Sequence, residues 1–146
     1  MSNTANANSA LHSQTDSASA SGAIALAGRI LLAAIFLLSG FSKIANPSGM
    51  IGYIESAGLP LPQLALIAAI VVEVGGSLLL ILGYRTRAVA LVMALFTVAT
   101  ALAFHNHLGD QNQFIHFFKN IAMAGGLLQV VAFGGGRLSL DARRKA

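Results

Sequence analysis

The sequence predicts an all-α protein: a four-transmembrane-helix bundle, compatible with two tandem helical hairpins, with a short interfacial helix between spans one and two. Three observations lead there. Hydrophobic residues make up 55% of the 146 and charged residues only 10%, with a mean hydropathy of +0.73. A soluble domain carries about a quarter charged residues, so lipid must be part of this chain's solvent. Four apolar runs approach the roughly 20 residues that a helix needs to cross the hydrocarbon core. Each run ends in helix-stopping residues, and open strands would leave amides unpaired in lipid.

Residues 1–22, rich in Ser, Ala and Asn, carry almost no charge and no periodicity. They cannot bury enough apolar area to offset ordering and are expected to be a disordered tail. The tail lacks the basic start of a secretory signal, so the run after it reads as an uncleaved first span. That span covers about residues 24–44 and stops at Asn46-Pro47. In the connection that follows, Asn46 can cap a short helix with Pro47 at its first position, and Gly58 and Pro60 can stop it. Met50, Ile51 and Ile54 would share one face, as an interfacial helix requires. Spans two, three and four fall at about 63–82, 86–104 and 114–133, closed by Gly83, by "HNHLGD" and by "GGG". The membrane domain is thus 23–137, and 138–146 is a short basic tail.

With four spans, both termini and the second connection share a side. That side holds Arg29, Arg85, Arg87, Arg137, Arg143, Arg144 and Lys145; the other holds only Lys43 and Lys119. Seven against two places the termini in the cytoplasm. "EVGGSLLLILG" in span two resembles "MAGGLLQVVAFG" in span four, the repeat behind the tandem-hairpin reading. Gly75-Gly76 and Gly125-Gly126 read as close-approach points between helices, with Ser39 and Gly40 acting similarly in span one.

Much chemistry is excluded. The chain has no cysteine, so disulfides, thiolate nucleophiles, cysteine-ligated clusters and covalent haem are out. The net charge of +4 is small and scattered, unlike a nucleic-acid surface. No phosphate-binding loop or nucleophile–base constellation can be assembled, so catalytic residues stay unknown and enzyme status is open.

The informative residues are the polar ones inside apolar runs. Glu73 sits near the middle of span two, where an acidic side chain costs about 2.5–3.5 kcal/mol on insertion scales. Arg29, five residues into span one, is the expected partner, with backbones differing in depth by roughly 6 Å. A structural ion pair and a substrate or proton role are both open for them. A second group, Lys43, His105, Lys119 and Asn120, forms a candidate outer polar cluster, with Lys119 and Asn120 expected to point inward above Glu73. His105 and His107 diverge by roughly 200° on a helix. They could share an ion with Asp110 and His116 only if span three ends by His105; neutral interfacial histidines are the expectation, and no metal.

The stretches "GRILLAAIFLLSGFSKIANPSG", "GYIESAGLP", "VVEVGGSLLLILGYRTR", His105 and "KNIAMAGGLLQ", in this order, resemble the DoxX family of small four-helix bacterial membrane proteins. The resemblance spans roughly residues 24–140 and covers Arg29, Lys43, Glu73, His105, Lys119 and Asn120. It implies a multi-pass bundle in the bacterial inner membrane. It also implies a link to quinone-coupled sulfur oxidation, from which the family takes its name, or to oxidative-stress complexes. The leading expectation is therefore an accessory protein or subunit in redox physiology, with a membrane or soluble redox partner protein and quinone as the one cofactor in view. Quinone carbonyls need hydrogen-bond donors beside an apolar slot, which the outer cluster could supply. A small transporter using Glu73 as a proton or cation site, and a purely structural scaffold, are the alternatives. Oligomeric state is not legible.

Overall fold

A computed structural model describes the backbone of residues 2–144 and side chains from Ser19 to Arg144. Helix α1 spans Ser2–Ala45, and its apolar part, Ser19–Ala45, is the first membrane-spanning segment. The backbone therefore continues as helix through the polar tail, where irregular chain was expected. An already nucleated helix gains a hydrogen bond per added residue without paying for a new nucleus. The tail's Met1 and its side chains before Ser19 lie outside the described residues.

Helix α2 covers Pro47–Ser56. The Asn46 side chain accepts the Gly49 N–H at 3.1 Å, and Pro47 occupies the first turn, where a missing donor costs nothing. Ile54 is buried, Met50 and Ile51 are half-buried, and the chain leaves the helix at Gly58 with φ +73°. Span two is interrupted: α3 (Pro62–Ile70) passes through a π-helical turn (Val71–Gly75) into α4 (Gly76–Leu82). It ends in a Schellman motif, with Tyr84 N–H on Leu79 O at 3.0 Å and Gly83 N–H on Leu80 O at 3.2 Å. Gly83 takes the left-handed conformation this motif needs, at φ +69°. Helices α5 (Thr86–Phe104) and α6 (Gln111–Phe133) complete the bundle, and Asp110 caps α6 by accepting the Gln113 N–H at 2.9 Å. The four spans Ser19–Ala45, Pro62–Leu82, Thr86–Phe104 and Gln111–Phe133 agree closely with the sequence boundaries.

α1 packs chiefly on span two, and α5 on α6, so the bundle is two antiparallel pairs joined through α4 and α5. Its core mixes small and large side chains: Ala33, Phe36, Leu80, Met93, Ala124 and Leu127. Leu31, Leu38 and Leu95 point outward at 64–74% exposure, as suits a lipid-facing surface. Close approach falls on one glycine of each pair. A methyl on Gly76 would lie 3.0 Å from Met93 Sδ and one on Gly126 3.2 Å from Leu32 Cδ2, whereas Gly75 and Gly125 meet nothing within 4 Å.

Gly40 is the tightest crossing of α1 on span two. A methyl there would sit 2.6 Å from Val74 Cγ2 and 3.3 Å from Glu73 Cβ. Gly40→Ala is expected to cost about 1–3 kcal/mol by overpacking, despite alanine's better helix propensity. A thermal melt in detergent equal to the parent's would show that the crossing relaxes freely.

The C-terminal segment, expected as a basic tail, folds back as α7 (Leu140–Arg143), capped by Ser139. Asp141 accepts the N–H groups of Arg85 and Thr86 at 2.8 and 2.7 Å, plus the Thr86 hydroxyl at 2.7 Å. It thereby caps α5 from 55 residues away, satisfying donors that the helix cannot satisfy itself.

Candidate functional site

The π-helical turn carries Glu73 at its centre. Such turns insert one residue into the helical ladder and redirect the side chains around it. The Glu73 carboxylate is buried; its Oε1 accepts from Lys43 Nζ at 2.9 Å and from Ser39 Oγ at 3.1 Å. Lys43 Nζ also donates to Ser39 Oγ at 2.8 Å, closing a triangle across α1 and span two. Among the described residues, Glu73 Oε2 is buried without a hydrogen-bond partner. Ser39 and Lys43 are four residues apart and so share a face of α1.

Arg29, the expected partner of Glu73, is elsewhere. Its Nη1 donates to the Leu80 and Ile81 carbonyls, both at 2.8 Å, and its Nη2 donates to the Leu138 carbonyl. Backbone depth alone led to the wrong pairing, because side chains lean toward their own helix N-terminus. α1 and span two run antiparallel. Arg29 thus leans away from Glu73, and Lys43, from the far end of α1, leans toward it. Arg29 satisfies the terminal carbonyls of α4 and ties them to the C-terminal segment, with the Asp141 charge close by.

The outer cluster does come together, and Glu73 joins it. Lys43, Glu73, His105, Lys119 and Asn120 all line one cavity of about 440 Å³. Its walls are mostly apolar, with Phe36, Met50, Ile54, Phe96 and Met123 among them. Thr97 and Thr100 also face it, but their hydroxyls donate to Met93 O and Phe96 O in their own helix, at 2.6 and 2.9 Å. Helix α2 covers one side and is held by Tyr53 stacked on Phe104, centroids 5.1 Å apart. Asn120 is 8% exposed and makes no side-chain hydrogen bond among the described residues. Lys119 Nζ lies 2.9 Å from His116 Nδ1, and the His116 ring stacks on His105 at 5.1 Å. His105 sits just past the end of α5 with its Nδ1 2.9 Å from Gln113 Oε1. Among the described residues, no three His, Asp or Glu groups are placed to hold one metal ion.

Three features escaped the sequence reading. Ser39 was read as a packing residue, although its four-residue spacing from Lys43 was a usable signal. The Asp141–Thr86 cap spans too much chain to be inferred from spacing. The π-helical turn has no marker in "VVEVG" beyond the glutamate itself.

The DoxX family model matches residues 24–106, more than half of the chain. Inner membrane protein YphA of Escherichia coli (strain K12) is 37% identical over 123 residues, covering 81% of this chain and 88% of that protein. Inner membrane protein YqjF of the same strain is 36% identical over 116 residues, covering 80% and 88%. No solved structure matches the chain significantly. Four membrane-spanning helices and matches of this extent lead to one conclusion: the chain belongs to the DoxX family of integral inner-membrane proteins.

Proposed function

We propose that this protein is an accessory protein or subunit in quinone-linked redox or oxidative-stress physiology, and that its cavity receives the quinone head. The observation that carries this reading is Asn120: an amide that makes no side-chain hydrogen bond among the described residues, on the wall of an otherwise mostly apolar cavity. Its donors and acceptor are left for a ligand or water in the cavity to meet. A carbonyl can accept from its NH₂, and Lys43 keeps one N–H beyond the two it donates within the triangle. The volume, about 440 Å³, lies within the range of roughly 300–1,000 Å³ typical of small-molecule sites. The competing reading, a cation site at Glu73, is weaker because the Lys43 ammonium already neutralises the carboxylate.

The test is organic extraction of protein purified with its native lipids, followed by mass spectrometry. Quinone should accompany the parent at near-stoichiometric amounts and fall at least several-fold with Asn120→Leu. Equal traces in both proteins would remove the reading, and pH-dependent flux through reconstituted vesicles would favour the transporter instead.

The same proposal places both termini in the cytoplasm, on the seven-to-two Lys/Arg count. Single cysteines at Ser48, Asp110 and Arg143 can be probed in intact cells with an impermeant thiol reagent. Ser48 and Asp110 should label and Arg143 should not; the reverse pattern would invert the topology.

A further inference from the structure

A second concavity, of about 770 Å³, opens at the opposite end of the bundle, where α4 turns into α5 and α6 ends. Four arginines line it: Arg85, Arg87, Arg137 and Arg144. They come from two segments some fifty residues apart, brought together because Asp141 staples the C-terminal segment onto the start of α5. Among the described residues Asp141 is the sole carboxylate in that lining; both its oxygens accept from α5, and its one negative charge leaves the four arginines in excess. Among the described residues, none of the four arginines forms a salt bridge with a carboxylate; the ion pair present is Lys43–Glu73, in the other cavity. Four cations in one basin repel one another unless an anion joins them. The local field is visible at Tyr84. Arg144 lies over its ring at 5.5 Å from the centroid, and the neighbouring Arg144 and Arg85 guanidinium groups hold the phenol pKa below its ordinary value.

The basin's position specifies what kind of anion fits. It adjoins the ends of three spans, at Leu82, Thr86 and Phe133, the level at which a bilayer's phosphates lie. Phe133 lines it and is 78% exposed, and the neighbouring Leu138 is 51% exposed. An apolar rim beside a basic floor matches a molecule with an acyl chain and a phosphate together, and guanidinium groups bind phosphate oxygens bidentately. Arginines that only set topology need not converge on one basin.

We propose that this basin is a binding site for the phosphodiester headgroup of an anionic phospholipid, held by Arg85, Arg87, Arg137 and Arg144 with its acyl chain along Phe133. The site is separate from the quinone cavity and does not depend on it.

Native mass spectrometry of delipidated full-length protein in detergent, titrated with phosphatidylglycerol, phosphatidylcholine or inorganic phosphate, tests this. Phosphatidylglycerol should bind at least tenfold more tightly than phosphatidylcholine and should raise the melting temperature. The Arg87→Gln/Arg137→Gln double variant should lose that preference, whereas Arg143→Gln, outside the basin, should keep it. Inorganic phosphate that binds as well as phosphatidylglycerol would overturn the lipid assignment in favour of a free anion. Equal binding of both lipids, or equal losses in the double variant and Arg143→Gln, would overturn the site. The double variant's circular dichroism should match the parent's, since neither side chain holds the fold.

Discussion

Lys43→Met is expected to cost this protein about 3–5 kcal/mol, the usual consequence of stranding one member of a buried ion pair. The loss should be asymmetric. Glu73 has 5% of its side chain exposed and Lys43 has 19%. Without Lys43, the carboxylate keeps only the Ser39 hydroxyl and, at 5% exposure, little hydration. Without Glu73, the lysine can move its ammonium toward the nearby helix end, so Glu73→Leu should cost less. Combining the two changes removes both charges and should recover much of the folded yield in membranes, since an apolar replacement of a whole buried pair is often neutral. Yield from extracted membranes and the order of melting temperatures read this directly. A double variant whose losses simply add would mean that the 2.9 Å contact carries no coupling. If the parent co-purifies with quinone, as proposed, and the double variant folds without it, the pair belongs to the binding site and not only to the scaffold.

The four spans were legible because crossing lipid demands length, apolarity and internally satisfied amides, and each leaves a local trace. The short α2 was legible for a related reason: Asn46, Pro47 and Gly58 are punctuation with a fixed mechanism. The outer cluster was legible as residue types at span ends, and the structure gathers all four of its members on one cavity. The partner of Glu73 was not. Depth along the membrane is a one-dimensional coordinate, whereas a side chain's direction depends on which way its helix runs and which face it occupies. Lys43 was placed in the outer cluster because it ends span one, yet a lysine at a helix C-terminal end leans back into the bundle and reaches Glu73. The C-terminal segment was misjudged for a different reason. Its basic composition describes the arginines, but Asp141 decides where it docks, and the N–H groups it accepts from lie 56 and 55 residues away in sequence.

Arg29→Leu is the second change with a large expected effect, and its consequences should appear at the opposite end of the molecule from those of Lys43→Met. Arg29 is 1% exposed and its guanidinium donates to three carbonyls, two at the end of α4 and one in the C-terminal segment. Charge-assisted hydrogen bonds are worth about 1.5–3 kcal/mol each, and they are not additive here because one side chain makes all three. A total loss of about 3–5 kcal/mol is therefore expected. Lysine is no substitute: its single ammonium lacks the planar fork that reaches α4 on one side and Leu138 on the other. Arg29→Lys should recover less than half of the loss. The local signature is more telling than the melting temperature. With the clamp gone, the Leu138 carbonyl loses its tie to α1, so Ser139, now 5% exposed, should open to solvent. In the Ser139→Cys background, the thiol should react with maleimide in detergent many-fold faster when Arg29 is leucine than when it is arginine. Its labelling rate should be unaffected by Glu73→Leu, because Arg29 and Glu73 do not meet. Equal labelling with and without the guanidinium would mean that Asp141 alone holds the segment in place.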